Sequence, residues 1–325
     1  MSETLLADAF VGYLEELAIF EKPIQNVGVR RSHCTTFYPV NDFSSQGVIQ
    51  FAIANNSNCY VDLRKTQLNI TCKIVARNGD IVETPKMVAA QPAAAAAAAA
   101  TTAATAATSD GEDAEASKKS DDAGKAKIGI VGVVNNFMHS MFSRVDVALQ
   151  NKVLTHSDQS YPYLAYLKTL LYSSKEEKES ALQTQMYFKD TAGAVHDSNW
   201  FMGDNAGLKT RSKFFANSRE VDMCGHLYSD VLEISRFIPY GVPLNITLYP
   251  STPEFCLLSP DSDTSSGQYK VVITKASLNV CMVEVAPVIL TSHANTLKTR
   301  PAIFPYSKTG QKVYNCKRCL LCGSE

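Results

Sequence analysis

A two-residue hydrophobic period dominates the chain. Leu68, Ile70, Cys72 and Ile74 alternate with Gln67, Asn69, Thr71 and Lys73. Val145, Val147 and Leu149 alternate with Arg144, Asp146 and Gln150, and Leu244, Ile246 and Leu248 with Asn245 and Thr247. Leu278, Val280 and Met282 repeat the pattern against Ser277 and Asn279. Alternate side chains of a strand point to opposite faces, so one face is buried and one is wet, as in antiparallel sheets stacked into a sandwich. Strands are predicted at 48–53, 60–76, 144–149, 152–154, 222–228, 244–249 and 269–285, with an apolar run at 128–134. Gln150-Asn151 is a tight turn between two of them.

Helical spacing is confined to fewer segments. Leu6, Phe10, Leu14 and Leu17 predict a short amphipathic helix in 3–21, an arm whose polar side carries Glu15 and Glu16 rather than the basic residues of a membrane-surface helix. Leu164, Leu167 and Leu171 fall on one helical face in 161–172, with Pro162 in the first turn, where its missing N–H is harmless. Ser174 and Glu177 have capping-box spacing and open a second helix. The segment 198–208 reads as an ordered surface loop anchored by Trp200, and 287–297 as a closing helix. Seven or eight strands with helices inserted in mid-chain predict a mainly β fold, an antiparallel jelly-roll sandwich.

Composition changes the picture at one place. From 84 to 127 the chain becomes alanine-rich and then mixed-charge, with unbroken alanine from 93 to 100. Alanine favours helix, but nothing there forms an apolar face to pack, so a disordered insertion between two strands is expected. Lengthening a surface loop costs little closure entropy. The expected organisation is an arm at 1–47, one jelly-roll domain at 48–306 interrupted by 84–127, and a cysteine-rich tail at 307–325. The whole chain has 325 residues and a formal net charge of −1. That charge gives no field to draw in nucleic acid or an anionic membrane, so neither is an expected partner. The acidic N-terminus lacks a secretory pattern, so the nine cysteines are expected to be free thiols in a reducing compartment.

Candidate chemistry is sparse. The six histidines do not fall at metal-ligand spacing, and His139 reads as a packed, hydrogen-bonded residue. No nucleophile elbow, phosphate loop or zincin motif occurs. No catalytic residue, cofactor or metal site is expected. The nearest approach to a metal site is Cys316, Cys319 and Cys322, one ligand short of a closed zinc site unless Cys281 or His293 folds back. Asp190, Asp197 and Asp204 form no evident acid pair. A carbohydrate-binding module would use Trp200, Phe201 and Asn205, and a cupin-type metal oxygenase would need a histidine-rich inward face that the strand readings lack.

An ordered series of short motifs resembles one family. It runs through 15–20, Tyr38-Pro39, 49–53, 60–63 with Thr66 and Leu68, 142–152, 161–163, 189–193, 205–208, Ser218-Arg219 with Val221-Asp222, 254–258 and 269–271. Together these resemble the hexon-like major capsid proteins of Maverick/Polinton and related adenovirus-like elements, over most of 15–306 apart from the insertion. The resemblance implies a double jelly-roll capsid subunit, three copies per capsomer, with a vertex protein as a further partner. It also implies a virion location, synthesis in the cytoplasm, assembly in the nucleus and no secretion. Only the first jelly roll is matched, so the expectation is a truncated or mis-spliced copy, or a first half domesticated as a non-capsid host protein.

Overall fold

The computed structural model describes residues 28–42, 47–54, 58–84, 127–155, 160–260, 268–306 and 309. Eight strands build two sheets: β1 (Val29–Phe37), β2 (Ile49–Ile53), β3 (Cys59–Ala76), β4 (Phe142–Leu149), β5 (Lys152–Val153), β6 (Val221–His226), β7 (Leu244–Pro250) and β8 (Tyr269–Val285). One sheet has the order β1-β8-β3-β6 and the other β2-β7-β4-β5. The pairings are antiparallel throughout. Pairs β1·β8, β2·β7, β3·β6 and β4·β5 are those of one long hairpin folded about its middle, which wraps into a jelly roll.

The alternation of the sequence explains the core between the sheets. Leu68, Ile70, Cys72 and Ile74 of β3 face it together with Val147, Ile246, Leu248, Leu278 and Val280, all essentially inaccessible to solvent. Their polar neighbours Asn69, Thr71, Lys73, Asn245, Thr247, Ser277 and Asn279 lie on the outer faces, partly exposed. Gln150 and Asn151 adopt φ of 49° and 63°, the left-handed pair that a two-residue hairpin requires. The two ends of the alanine-rich stretch return to one place: Val82–Glu83 pairs in parallel with Lys127–Ile128. Backbone N–H groups of Val82 and Thr84 donate to Ser218 Oγ and Asn217 Oδ1, fixing that junction.

Six α-helices are also described: α1 (Phe137–Ser140), α2 (Tyr161–Tyr172), α3 (Lys175–Glu179), α4 (Ala206–Phe214), α5 (Pro253–Cys256) and α6 (Pro287–Leu297). Ser174 and Glu177 form the expected reciprocal cap of α3, at 2.9 and 3.2 Å. One expectation is corrected, and the packing of α2 is new. The sandwich starts at β1, inside the region read as an arm; this edge strand is fixed by backbone pairing to β8, and its run of Arg30, Arg31 and Ser32 hides the alternation. The buried side of α2 carries Tyr161, Pro162, Ala165 and Thr169, whereas Leu167 and Leu171 face solvent. Small Ala165 and Thr169 let α2 lie close to α1 and β4, and Thr169 Oγ1 satisfies itself on the Ala165 carbonyl at 2.9 Å. The proposed helix at 3–21, the insertion at 85–126 and the tail thiols Cys316, Cys319 and Cys322 lie outside the described residues.

Candidate functional site

One set of buried polar groups is engaged with one another around a histidine. His139, on the single turn of α1, is fully enclosed, with Nδ1 2.9 Å from Tyr161 Oη and Nε2 2.9 Å from Gln185 Oε1. The Gln185 oxygen accepts, so Nε2 carries the hydrogen and Nδ1 accepts from the Tyr161 hydroxyl. The Tyr228 ring closes the pocket with its centroid 4.9 Å from the imidazole. Burial holds the His139 pKa down at about 4 despite the Gln185 hydrogen bond, so the ring is neutral near pH 7. It joins α1, α2 and the turn at Ala181–Gln185, in the packed role that its sequence context predicts.

Two of the short motifs prove to be a single structural corner. Asn205 Oδ1 caps α4 through Leu208 N at 3.2 Å and also accepts from Thr191 N at 3.3 Å, while Ala206 N donates to Thr191 Oγ1 at 3.0 Å. Asp190 Oδ1 meets Arg211 Nη1 at 2.6 Å, and Arg211 Nε donates to the Val133 carbonyl at 2.7 Å. Gly207 lies against the backbone of Lys189: a β-carbon there would sit 2.5 Å from that carbonyl oxygen. Gly207→Ala is therefore expected to cost about 1–3 kcal/mol by forcing α4 away from 189–193. Thermal unfolding checks this, and a variant that melts with the wild type contradicts the close contact.

The trio that a carbohydrate-binding module would use is absorbed by the same corner. Trp200 is buried, Phe201 packs edge-on against it at 5.9 Å, and Asn205 is spent on capping. Of the three carboxylates read as unpaired, Asp190 holds Arg211 and Asp197 accepts the backbone N–H groups of Asn199 and Asp204. A shallow hollow of about 340 Å³ on the outside of the β2-β7-β4 sheet is lined by Val40, Gln50, Ala52, Ala148, Asn245 and Thr247. It has amides, but Tyr249 on that face lies under the Arg144 guanidinium, 5.0 Å from its ring centre, and offers no free ring for a sugar to stack on. No group of three or more possible metal ligands occurs among the described residues. His293 is hydrogen-bonded to Tyr60 Oη at 2.8 Å, and Cys281 packs beside Tyr60, Val283 and Val285.

What the fold does present is apolar surface. Tyr163, Leu167, Leu170 and Leu171 follow helical spacing along the outer side of α2, and Leu171 and the adjoining Tyr172 are 74% and 82% exposed. Phe255 of α5 extends the patch, edge-on to Tyr163 at 5.8 Å. Lys168, between them, is tied to Asp230 at 3.1 Å and Glu233 at 2.6 Å, and so leans away from this surface. Leu167 and Leu171 were placed on one face by their spacing. Tyr163, Leu170, Tyr172 and Phe255 complete it and were visible in the sequence only as a surplus of apolar residues over those a helix needs to pack.

No family model matches the chain. A Caenorhabditis elegans protein, "Uncharacterized protein F54H12.2", is 22% identical over 254 residues, which are 77% of this chain and 49% of the relative. The chain thus spans about half the length of the curated relative that it matches. Among solved structures it is similar to the Faustovirus major capsid protein, with TM-score 0.46 and 10% identity over 85% of this chain and 58% of that one. It is also similar to a chain of the Sputnik virophage, with TM-score 0.45 and 10% identity over 86% and 53% of the two chains. The mavirus major capsid protein gives TM-score 0.38 and 12% identity over 87% and 53%. No helix among the described residues is long and apolar enough to cross a membrane.

Proposed function

We propose that this chain is a capsid structural protein, a hexon-like major capsid subunit of a Maverick/Polinton-type or related virus-like element, and that it works by assembling with copies of itself. The observation that carries this reading is the uncovered apolar side of α2, mounted on a jelly-roll subunit. Contiguous apolar surface of this kind marks an interaction site. The ordered motifs of the sequence support the same reading, and the corner at 189–211 gives two of them a structural purpose. In this proposal three copies form a capsomer, a vertex protein is the further capsid partner, and function resides in surfaces rather than in catalysis. Neither nucleic acid nor membrane is a direct partner. The location is the virion, with synthesis in the cytoplasm and assembly in the nucleus.

Sedimentation velocity on the purified chain tests the α2 surface. The wild type should form concentration-dependent oligomers, and Leu167→Glu with Leu171→Glu should weaken self-association by about 100-fold or more, since the burial of two leucines at the contact is lost and two charges must be desolvated. Both positions are exposed in the subunit, so the fold should survive the change. A wild type that stays monomeric at high concentration, or a variant that associates equally well, would count against the proposal.

A further inference from the structure

The outer face of the β1-β8-β3-β6 sheet carries a feature that assembly does not require. Cys34 of edge strand β1 lies directly opposite Cys281 of β8, and Asp62 of β3 is the next residue in the same cross-strand row. Directly opposite residues of an antiparallel pair share a face, with Cα atoms about 4.5–5.5 Å apart. A disulfide spans Cα separations of about 4.4–6.8 Å, and this register falls within that range. Both thiols are free; Cys34 is exposed and Cys281 is buried. Burial, the largest influence, and the neighbouring Cys34 both push the Cys281 thiol pKa up. The other described cysteines are placed differently: Cys59, Cys72 and Cys256 belong to the main core, and Cys224 lies on β6, on the far side of β3.

We propose that Cys34 and Cys281 are an oxidation site, a cross-strand thiol pair that a small disulfide oxidant converts into an intramolecular bond stapling β1 to β8. The exposed Cys34 thiolate attacks one sulfur of oxidised glutathione, forming a mixed disulfide and expelling one glutathione thiolate. The Cys281 sulfur then attacks the Cys34 sulfur, the protein disulfide forms and the second glutathione departs. The two protons of the protein thiols end on the two glutathiones, and the electron pair of the two S–H groups reduces the oxidant. Burial suits Cys281 to the second, resolving role, because only the neighbouring sulfur reaches it.

The position makes the bond consequential. The outer edge of β2 is held by Val40 N donating to the Gln50 carbonyl at 2.8 Å, and β6 by Thr184 Oγ1 donating to the Cys224 carbonyl at 2.7 Å. Strand β1 pairs with β8 alone. Its outward residues Arg30, Ser32, Cys34 and Thr36 are exposed, so this long edge strand is open to fraying. A cross-link between residues so far apart in sequence also constrains the unfolded chain strongly.

The test uses the full chain, reduced, desalted and incubated with excess oxidised glutathione, then denatured, alkylated and digested without reductant for mass spectrometry. The expected result is a linked peptide pair containing Cys34 and Cys281, with Cys59, Cys72, Cys224 and Cys256 alkylated, whatever the state of Cys316, Cys319 and Cys322. A rise in Tm of about 5 °C that reductant reverses should accompany it. Cys34→Ser, at an exposed position, and Cys281→Val, in an apolar setting, should each abolish the link and the rise. Accumulation of a stable glutathione adduct on Cys34, or of a Cys34-to-Cys34 dimer with Cys281 still alkylatable, would overturn the proposal.

Discussion

Asp190→Ala is expected to lower the unfolding free energy by about 3–5 kcal/mol, the cost of leaving a buried charge without its partner. Arg211 is almost wholly enclosed, and burial already pulls its pKa down against the support of Asp190. Once the carboxylate is removed, Val133 O remains as its acceptor at 2.7 Å, which satisfies one donor and no charge. The guanidinium must then admit water or break the packing of α4 against 189–193. Replacing both partners at once with Leu and Met should restore much of the loss, because two apolar side chains need no counter-charge. Chemical denaturation of the three variants measures this. A single variant within about 1 kcal/mol of wild type would show that the pair is screened by solvent.

Acid should remove about 3 kcal/mol of stability through His139 alone. The folded pKa lies at about 4 and the ordinary value at 6.5. Above pH 6.5 the ring is neutral in both states and its contribution is complete. Between 6.5 and about 4 the unfolded chain takes up a proton that the folded chain refuses, so stability falls by about 1.4 kcal/mol per pH unit. Below about 4 both states are protonated and the loss levels off. His139→Gln cannot titrate, so the difference between wild type and variant, followed by denaturation across this range, isolates the effect from the carboxylates. A difference that does not change with pH would mean that the imidazole reaches solvent in the folded protein.

How much of this was legible in the chain depends on the kind of signal. Leu68 to Ile74, Leu244 to Leu248 and Leu278 to Met282 are central strands with one dry face, and their alternation announced both strand and core. β1 escaped because an edge strand is held by backbone hydrogen bonds to one neighbour and can carry Arg30, Arg31 and Ser32 without burying any of them. On α2 the leucine spacing was real but marked the exposed side. Spacing identifies an apolar face without saying what covers it, and Ala165 and Thr169 give no comparable signal. The polar corner was hidden for another reason: Asp190 and Arg211 are ordinary charged residues until the fold brings them together. Cys34 and Cys281 are likewise far apart in the chain and meet through strand register, which periodicity alone does not assign.

The central claim is that this jelly roll tiles with copies of its own kind. Co-expression with a longer relative, of which this chain matches about half, followed by affinity capture of one chain and electron microscopy of what comes with it, tests this most directly. The account predicts ordered capsomers or shells that contain both chains and lose this one when Leu167 and Leu171 are replaced by Glu. Particles built from the relative alone, with this chain left free and monomeric beside them, would contradict it.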